Sequence, residues 1–331
     1  MGIKNIHYMS FIIFIYEFSV QAQQLKSTSY IEETIFQGDS ICLEVTEFYG
    51  DIQWQKTNDL ISWIDIDGAT SGSVEFVADN SGYYRAKITA GICDPVYSDT
   101  ILLYIDNGID FNDQLTYGTV SDIDGNIYKT VQIDAQIWMA ENLKATRYND
   151  GTDIPDATVN WGSSGTPAYC WYNNNADTCK AVYGALYNWY AISTAANGGK
   201  NICPAGWHVP TDAEWQELEF SVGMDYELID TIGFHGTNEG SKLKETGTTH
   251  WGSLTCFGTN ESGFTGLPGG VRFYYGIFSS LGFMGFWWSS TEYYQPTEDA
   301  WYRSLHYDYR NICRHFLHKK SGISVRCLRD K

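Results

Sequence analysis

Basic residues are scarce: 21 Lys and Arg stand against 40 Asp and Glu, leaving a formal charge of −19 over 331 residues. Such a chain repels nucleic-acid phosphate, and no basic cluster reverses the sign locally, so nucleic acid is not an expected partner. No apolar run reaches the roughly 18 to 20 residues that cross a bilayer as a helix, so no transmembrane segment is expected either. Missing too are a Gly-x-Ser-x-Gly elbow, a phosphate-binding loop and a zinc-protease helix motif. Internal repeats and low-complexity tracts are absent. The polar, aromatic-poor mark of disorder is also lacking, because 43% of the residues are hydrophobic and 16% aromatic. A chain of this length buries about two cores.

The N-terminus carries Lys4 and His7 ahead of an apolar run from Met9 to Phe18, and Val20-Gln21-Ala22 supplies small residues at signal-peptidase spacing. This pattern predicts a signal peptide over residues 1–22, cleaved after Ala22, and a secreted or cell-surface location. Residue 23 is Gln rather than Cys, so a lipoprotein anchor is not indicated. Export also makes the eight cysteines, two early and six late, intelligible as a disulfide set.

From Ser27 to Tyr104 the chain reads as short strands, among them SICLEV, DIQWQK, SVEFVA, YYRAKI and TILLYI, separated by Gly, Asp, Asn and Ser turns. The pattern predicts an all-β sandwich over residues 27–105. Its segment DNSGYYRA resembles the tyrosine corner of immunoglobulin-like domains, and Cys42 precedes Trp54 as in their neighbouring core strands. Where that resemblance places a second cysteine the chain has Ala86, so the implied bridge runs from Cys42 to Cys93. The polar stretch DNGIDFND, residues 106–113, is the expected linker to a second domain over 114–331.

Within the second domain, ICPAGWHVPTDAEW at 202–215 is the densest signal. Thr211 and Glu214 form a capping-box pair that predicts a helix with Trp215, Leu218 and Val222 as its buried stripe. VYGALYNWYAI (182–192) predicts another helix, and DIDGNIYKTVQI (122–133) a turn into a strand. Short strands and glycine-rich loops follow Gly247, which makes the layout α+β. Together with WMAENL (138–143), YNDGT (148–152), GALYNWYA (184–191), GSKLKETG (240–247), NESGFTGLPGGVR (260–272), FWWSSTE (286–292) and SVRC (324–327), the block resembles the Fibrobacter succinogenes major paralogous domain over residues 115 to 329. The resemblance implies a fold related to C-type lectins and formylglycine-generating enzymes, in surface or secreted bacterial proteins. It also implies the disulfides Cys203 with Cys327, Cys170 with Cys179, and Cys256 with Cys313.

Candidate chemistry is thin. Asp122, Asp124 and Asn126 alternate like the start of an EF-hand loop, but position twelve is Ile133, so a glycine turn is expected there and no metal. Asp150, Asp153 and Asp156 form a second acidic loop. The lectin sugar-calcium motif is not carried over, because Gln295-Pro296 is followed by Thr297 and no Trp-Asn-Asp strand exists. The paired thiols of the formylglycine enzymes are not matched by the distant Cys313 and Cys327, and His315 and His318 are offset by three on a predicted strand. No catalytic residue and no cofactor is expected. The aromatics are the positive signal: Trp161, Trp171, Tyr172, Phe273, Tyr274, Tyr275, Tyr293, Tyr294, Tyr307 and Tyr309 fall in or beside predicted loops among Asn, Asp and Gly. A ring beside hydrogen-bonding groups suits a sugar, which stacks its CH face and pairs its hydroxyls. Trp138, Trp189, Trp207, Trp215, Trp287 and Trp301 are read as core instead. The expectation is a non-catalytic, bacterial surface protein that recognises an extracellular polysaccharide or glycoprotein. A structural or adhesive module that binds protein is the alternative, and a divergent formylglycine-type oxidase the third reading.

Overall fold

The structure, a computed structural model, describes residues 10–12, 30–36, 40–46, 48–77, 81–158, 161, 165–252, 257–294 and 298–331. The chain is mostly β with few helices. It divides into two units, Met1–Asn107 and Gly108–Lys331.

The first unit holds β1 (Ser10–Ile12), β2 (Ile31–Phe36), β3 (Ser40–Thr46), β4 (Asp51–Thr57), β5 (Ile64–Asp65), β6 (Ser73–Val77), β7 (Gly82–Thr89), β8 (Val96–Tyr97) and β9 (Ile101–Asp106). One sheet runs β1-β3-β6 and the other β2-β9-β7-β4-β5, with β8 beside β7. Period-two alternation turns Leu43 and Val45 of β3 toward Trp54, Ala86, Ile88 and Leu103 of the other sheet, and these residues form one buried core. The Trp54 indole donates to Ser71 O at 2.9 Å, so its one polar atom is satisfied. The same alternation defeats the Cys42–Cys93 bridge. Cys42 pairs across the sheet with Glu75 and points outward, Cys93 sits in the turn after Ala90, and both are exposed free thiols. Of the predicted signal peptide only residues 10–12 are described; the rest lies outside the described residues.

Of the stretch expected as a linker, residues 106–113, Asp106 ends β9 and the part from Gly108 on already belongs to the second unit. Ile109 is buried, the Asp110 amide donates to Glu245 Oε1 at 2.8 Å, and Asn112 Nδ2 donates to Asn260 O at 2.9 Å. A five-stranded sheet follows in the order β10 (Gly118–Ser121), β11 (Ile127–Ile133), β12 (Gln136–Met139), β22 (Leu328–Arg329), β15 (Trp207–His208). Two hairpins, β13 (Tyr169–Cys170) with β14 (Leu186–Tyr187) and β17 (Gly269–Arg272) with β18 (Phe278–Leu281), lead to a four-stranded sheet. That sheet runs β16 (Gly233–His235), β21 (Ile312–His318), β20 (Asp299–His306), β19 (Met284–Glu292). The helices are α1 (Ala176–Tyr183), α2 (Trp189–Ile192), α3 (Asp212–Ser221) and α4 (Glu239–Leu243).

Helix α3 begins where its capping box places it, with the Thr211 hydroxyl and the Glu214 carboxylate each serving the other's amide. Trp215, Leu218 and Val222 are its buried stripe. Just upstream, Cys203 is bonded to Cys327, which ties β15 and the start of α3 to the final strand. The helix predicted over 182–192 is interrupted instead. Gly184 adopts φ +71° and its α-carbon lies so close to the Leu143 carbonyl that a β-carbon would collide, so α1 stops there. Leu186–Tyr187 then pair with β13, and the Asn188 side chain caps α2.

The sequence blocks that carry the family resemblance converge in the core. Asn142 Oδ1 accepts from the Trp287 indole at 2.9 Å and from Arg326 Nε at 2.8 Å, and Asn142 Nδ2 reaches Tyr183 O and Ser324 Oγ. Arg326, wholly buried, also donates to the carbonyls of Met139, Phe264 and Thr265 and lies over the Phe264 ring. Burial, countered in part by Glu141, pulls its guanidinium down to about 9. Four of those blocks are thereby tied together by one buried polar network, which is costly unless every partner is present.

Candidate functional site

On one face of β20 and β21 the cross-strand pairs are Arg303 with Arg314, Trp301 with Phe316 and Asp299 with His318. Helix α3 covers the first pair. Arg303 bridges Asp212 (Nη1 to Oδ1, 2.7 Å) and Glu219, while Arg314 grips Asp212 (Nη2 to Oδ2, 2.7 Å) and lies over the Trp301 ring at 3.7 Å. Burial raises the Asp212 carboxyl, but bonds from Arg314 and the charge of Arg303 outweigh it and hold the group below its ordinary pKa. Asp212 and its two arginines therefore pin the buried end of the face.

Beyond α3 the same face emerges as an aromatic ridge. Tyr293 stacks on Phe316 with centroids 3.9 Å apart and meets Trp301 edge-on at 4.9 Å, and Tyr294 packs edge-on against Tyr293. Two residues further along β21, His318 stacks on Tyr274 at 4.7 Å, and Tyr274 meets Tyr275, which in turn stacks on Phe273. Residues two apart on a strand share a face, so Phe316 and His318 join these two groups into one row. Tyr274, Tyr275 and Tyr294 remain 47%, 56% and 64% exposed. Hydrogen-bonding groups stand among the rings: His318 Nε2 lies 2.9 Å from the exposed Glu298 carboxylate, and Lys319 Nζ lies 3.1 Å from Glu292.

The fold thus brings together five of the ten aromatics expected to bind ligand. Tyr307 and Tyr309 belong to a second patch, where Phe234 meets Tyr309 edge-on at 4.7 Å, His306 lies 4.5 Å from both Tyr309 and Tyr307, and Phe283 meets Tyr307 at 5.6 Å. Burial, opposed by Asp308, lowers the His306 pKa below its ordinary value. Trp161, Trp171 and Tyr172 are corrections: at 3%, 8% and 8% exposure they are core residues, packed with Cys170, Cys179 and Leu186 or with Tyr169 and Tyr187. Their segment carries turn residues on both sides, which in the sequence looks like a loop, but the hairpin β13–β14 folds it inward. Residues the sequence reading missed are Phe316, Phe234, Phe283 and Glu298. For Phe234 and Phe316 the signal was period two on a strand combined with cross-strand pairing, which is not written in one sequence, and Phe283 and Glu298, outside the strands, had none.

The acidic turns are structural. Asp122 Oδ1 accepts from the amides of Asp124 and Asn126, and its Oδ2 accepts from Tyr128 Oη at 2.6 Å. Asp124 is taken up by Thr146 and Arg147, and Asp150 and Asp156 each cap the threonine two residues on. Among the described residues no group of three or more His, Cys, Asp or Glu side chains could hold a metal. Cys170 and Cys179 are buried and unbonded, as is Cys313, while Cys256 lies outside the described residues. Burial pushes the Cys170 thiol up to about 12 against the pull of Arg272, and raises Cys313 as well, the opposite direction to an activated thiolate. A wider groove of about 550 Å³ crosses the five-stranded sheet between Thr119, Thr130, Gln132, Trp207 and Arg329, but its only ring is buried.

These features define a β-rich chain of two units whose second unit is held by the Cys203–Cys327 disulfide and a buried Asn-Arg-Trp network and presents aromatic rings at its surface. The chain belongs to the Fibrobacter succinogenes major domain family, whose model matches residues 131–329, well over half its length. Residues 24–107 match a domain of unknown function, DUF8696. No curated protein matches the chain.

Proposed function

We propose that this is a secreted or cell-surface, non-catalytic protein that binds an extracellular polysaccharide or glycoprotein through the Phe273 to Tyr294 ridge. In this reading the second unit has a C-type lectin-like fold and the first is an immunoglobulin-like spacer. The observation that carries it is the ridge itself: three half-exposed tyrosines in one row, with His318 and Glu298 between them, offer stacking faces and hydrogen-bonding groups together. Export is supported by the apolar run before Ala22 and by the Cys203–Cys327 disulfide, since such bonds persist in oxidising compartments. The test is retention on a panel of soluble and insoluble polysaccharides, comparing the protein with Tyr274→Ala and Tyr294→Ala variants.

A second reading, adhesion to protein, is favoured by the Phe234, Phe283 and Tyr309 patch, where exposed rings adjoin each other with few polar partners. Phe234→Ala with Tyr309→Ala would then abolish partner binding while polysaccharide retention stays unchanged.

A further inference from the structure

Beside α4 lies a cavity of about 230 Å³ lined by Asn238, Ser241, Lys242, Phe257, Thr259 and Arg310. It is smaller than the roughly 300–1,000 Å³ of ordinary small-molecule pockets, a size for one substituent rather than a whole ligand. Its walls are fixed by backbone contacts. The Ser241 amide donates to Arg310 O at 2.9 Å, the Thr259 amide donates to Ser241 O at 2.8 Å, and a β-carbon at Gly240 would overlap the Asn311 carbonyl oxygen.

Two cationic residues line this small space in a chain whose formal charge is −19. The half-buried Lys242 ammonium donates to Val222 O at 2.7 Å, which leaves two of its three N–H groups. Arg310 lies over the Phe257 ring at 4.3 Å. Among the described residues neither forms an ion pair. Ser241, 5% exposed, contributes to the wall, but its hydroxyl is shut off from the cavity. The one carboxylate of the lining, Glu261, belongs to an exposed residue.

We propose that this cavity is a subsite for a single oxyanion group, the carboxylate of a uronic acid or the sulfate of a sulfated sugar. Lys242 and Arg310 neutralise the group and supply charge-assisted donors, with Asn238 as a neutral one. The proposal rests on the glycan reading only for the molecule that bears the oxyanion; the site stands on its own geometry. The overall negative charge then works as a filter, because a polyanion is held only where its group reaches these two cations.

The test is calorimetric titration of residues 23–331 with sodium sulfate and with sodium glucuronate at constant ionic strength, for the wild type and for Arg310→Gln and Lys242→Met. The expected result is binding of one or both ions in the range of about 1 mM, weakened at least ~10-fold by Arg310→Gln and by Lys242→Met. The ion that binds names the substituent. Arg310 is exposed, so its variant keeps the fold and decides the matter if Lys242→Met does not. No binding of either ion, or wild-type affinity in Arg310→Gln, overturns the proposal. Ion binding with an empty polysaccharide panel keeps the site and removes the glycan reading.

Discussion

Replacing Cys203 and Cys327 together by alanine removes the one disulfide found among the described residues, and the size of the effect follows from its position. The bond closes a loop across a sequence separation of 124 residues. In the chain-entropy treatment, freeing a loop of that length from the unfolded state is worth about 5 kcal/mol. For a unit of this size each kcal/mol moves the melting temperature by roughly 2–4 °C, so the second unit should melt about 10–20 °C lower. Differential scanning calorimetry reads this directly, with the wild type in a reducing agent as a second route to the same state. The first unit supplies an internal control, because Cys42 and Cys93 are free and its transition should not respond to reduction. A second-unit transition displaced by less than about 2 °C would refute the argument, since it would mean that the loop is already constrained without the bond. A reduction-sensitive first unit would instead show that Cys42 and Cys93 are joined.

Arg303→Met takes the shared cation from between Asp212 and Glu219, leaving Asp212 to Arg314 and Glu219 to His235 alone, so a loss of about 3 kcal/mol in urea unfolding is expected; a loss under 1 kcal/mol would argue that the remaining partners compensate both carboxylates. Burial raises the Glu214 carboxyl, but hydrogen bonds from His208 and Thr211 overcome this and hold it at about 2, below its ordinary 4.5. Its contribution is therefore complete above pH 4.5 and fades as pH falls toward 2, so Glu214→Gln should flatten the dependence of the unfolding midpoint on pH in that window. An unchanged acid limb in that variant would contradict the assignment. Thiol labelling in the native state should modify Cys42 and Cys93 and spare the buried Cys170, Cys179 and Cys313 until denaturant is added; mass-spectrometric mapping of the labelled sites checks it.

What could be read from the sequence was whatever is local. The capping box at Thr211 and Glu214, the strands from Ser40 to Asp106 and the turn at Asp122 each depend on neighbours within a few residues, and each stands where expected. The family blocks were legible as well, and the structure gives them a physical reason: Asn142, Trp287 and Arg326 are partners in one buried network, so their identities are fixed by packing. Failures came where long-range contacts overrule local pattern. The periodicity over 182–192 suits a helix, but the approach of Gly184 to Leu143 breaks it. Trp161, Trp171 and Tyr172 sit among polar turn residues, yet a two-stranded hairpin carries them into the core. The ridge was half legible, since its loop tyrosines stood out while Phe316 and His318, which join them, are visible only through strand pairing.

The central claim is that the ridge binds a polysaccharide, and the most direct measurement is quantitative retention of residues 23–331 on a polysaccharide panel, wild type against Tyr274→Ala, Tyr294→Ala and the pair. The account predicts retention on at least one glycan class, unaffected by EDTA, and weakened about 5- to 10-fold by each substitution, the ~1 kcal/mol or more of a stacking residue. The melting temperature of the second unit should not change, because both rings are surface residues. Retention that survives the double substitution, or an empty panel with a folded protein, would contradict it and move the function to the Phe234 and Tyr309 patch.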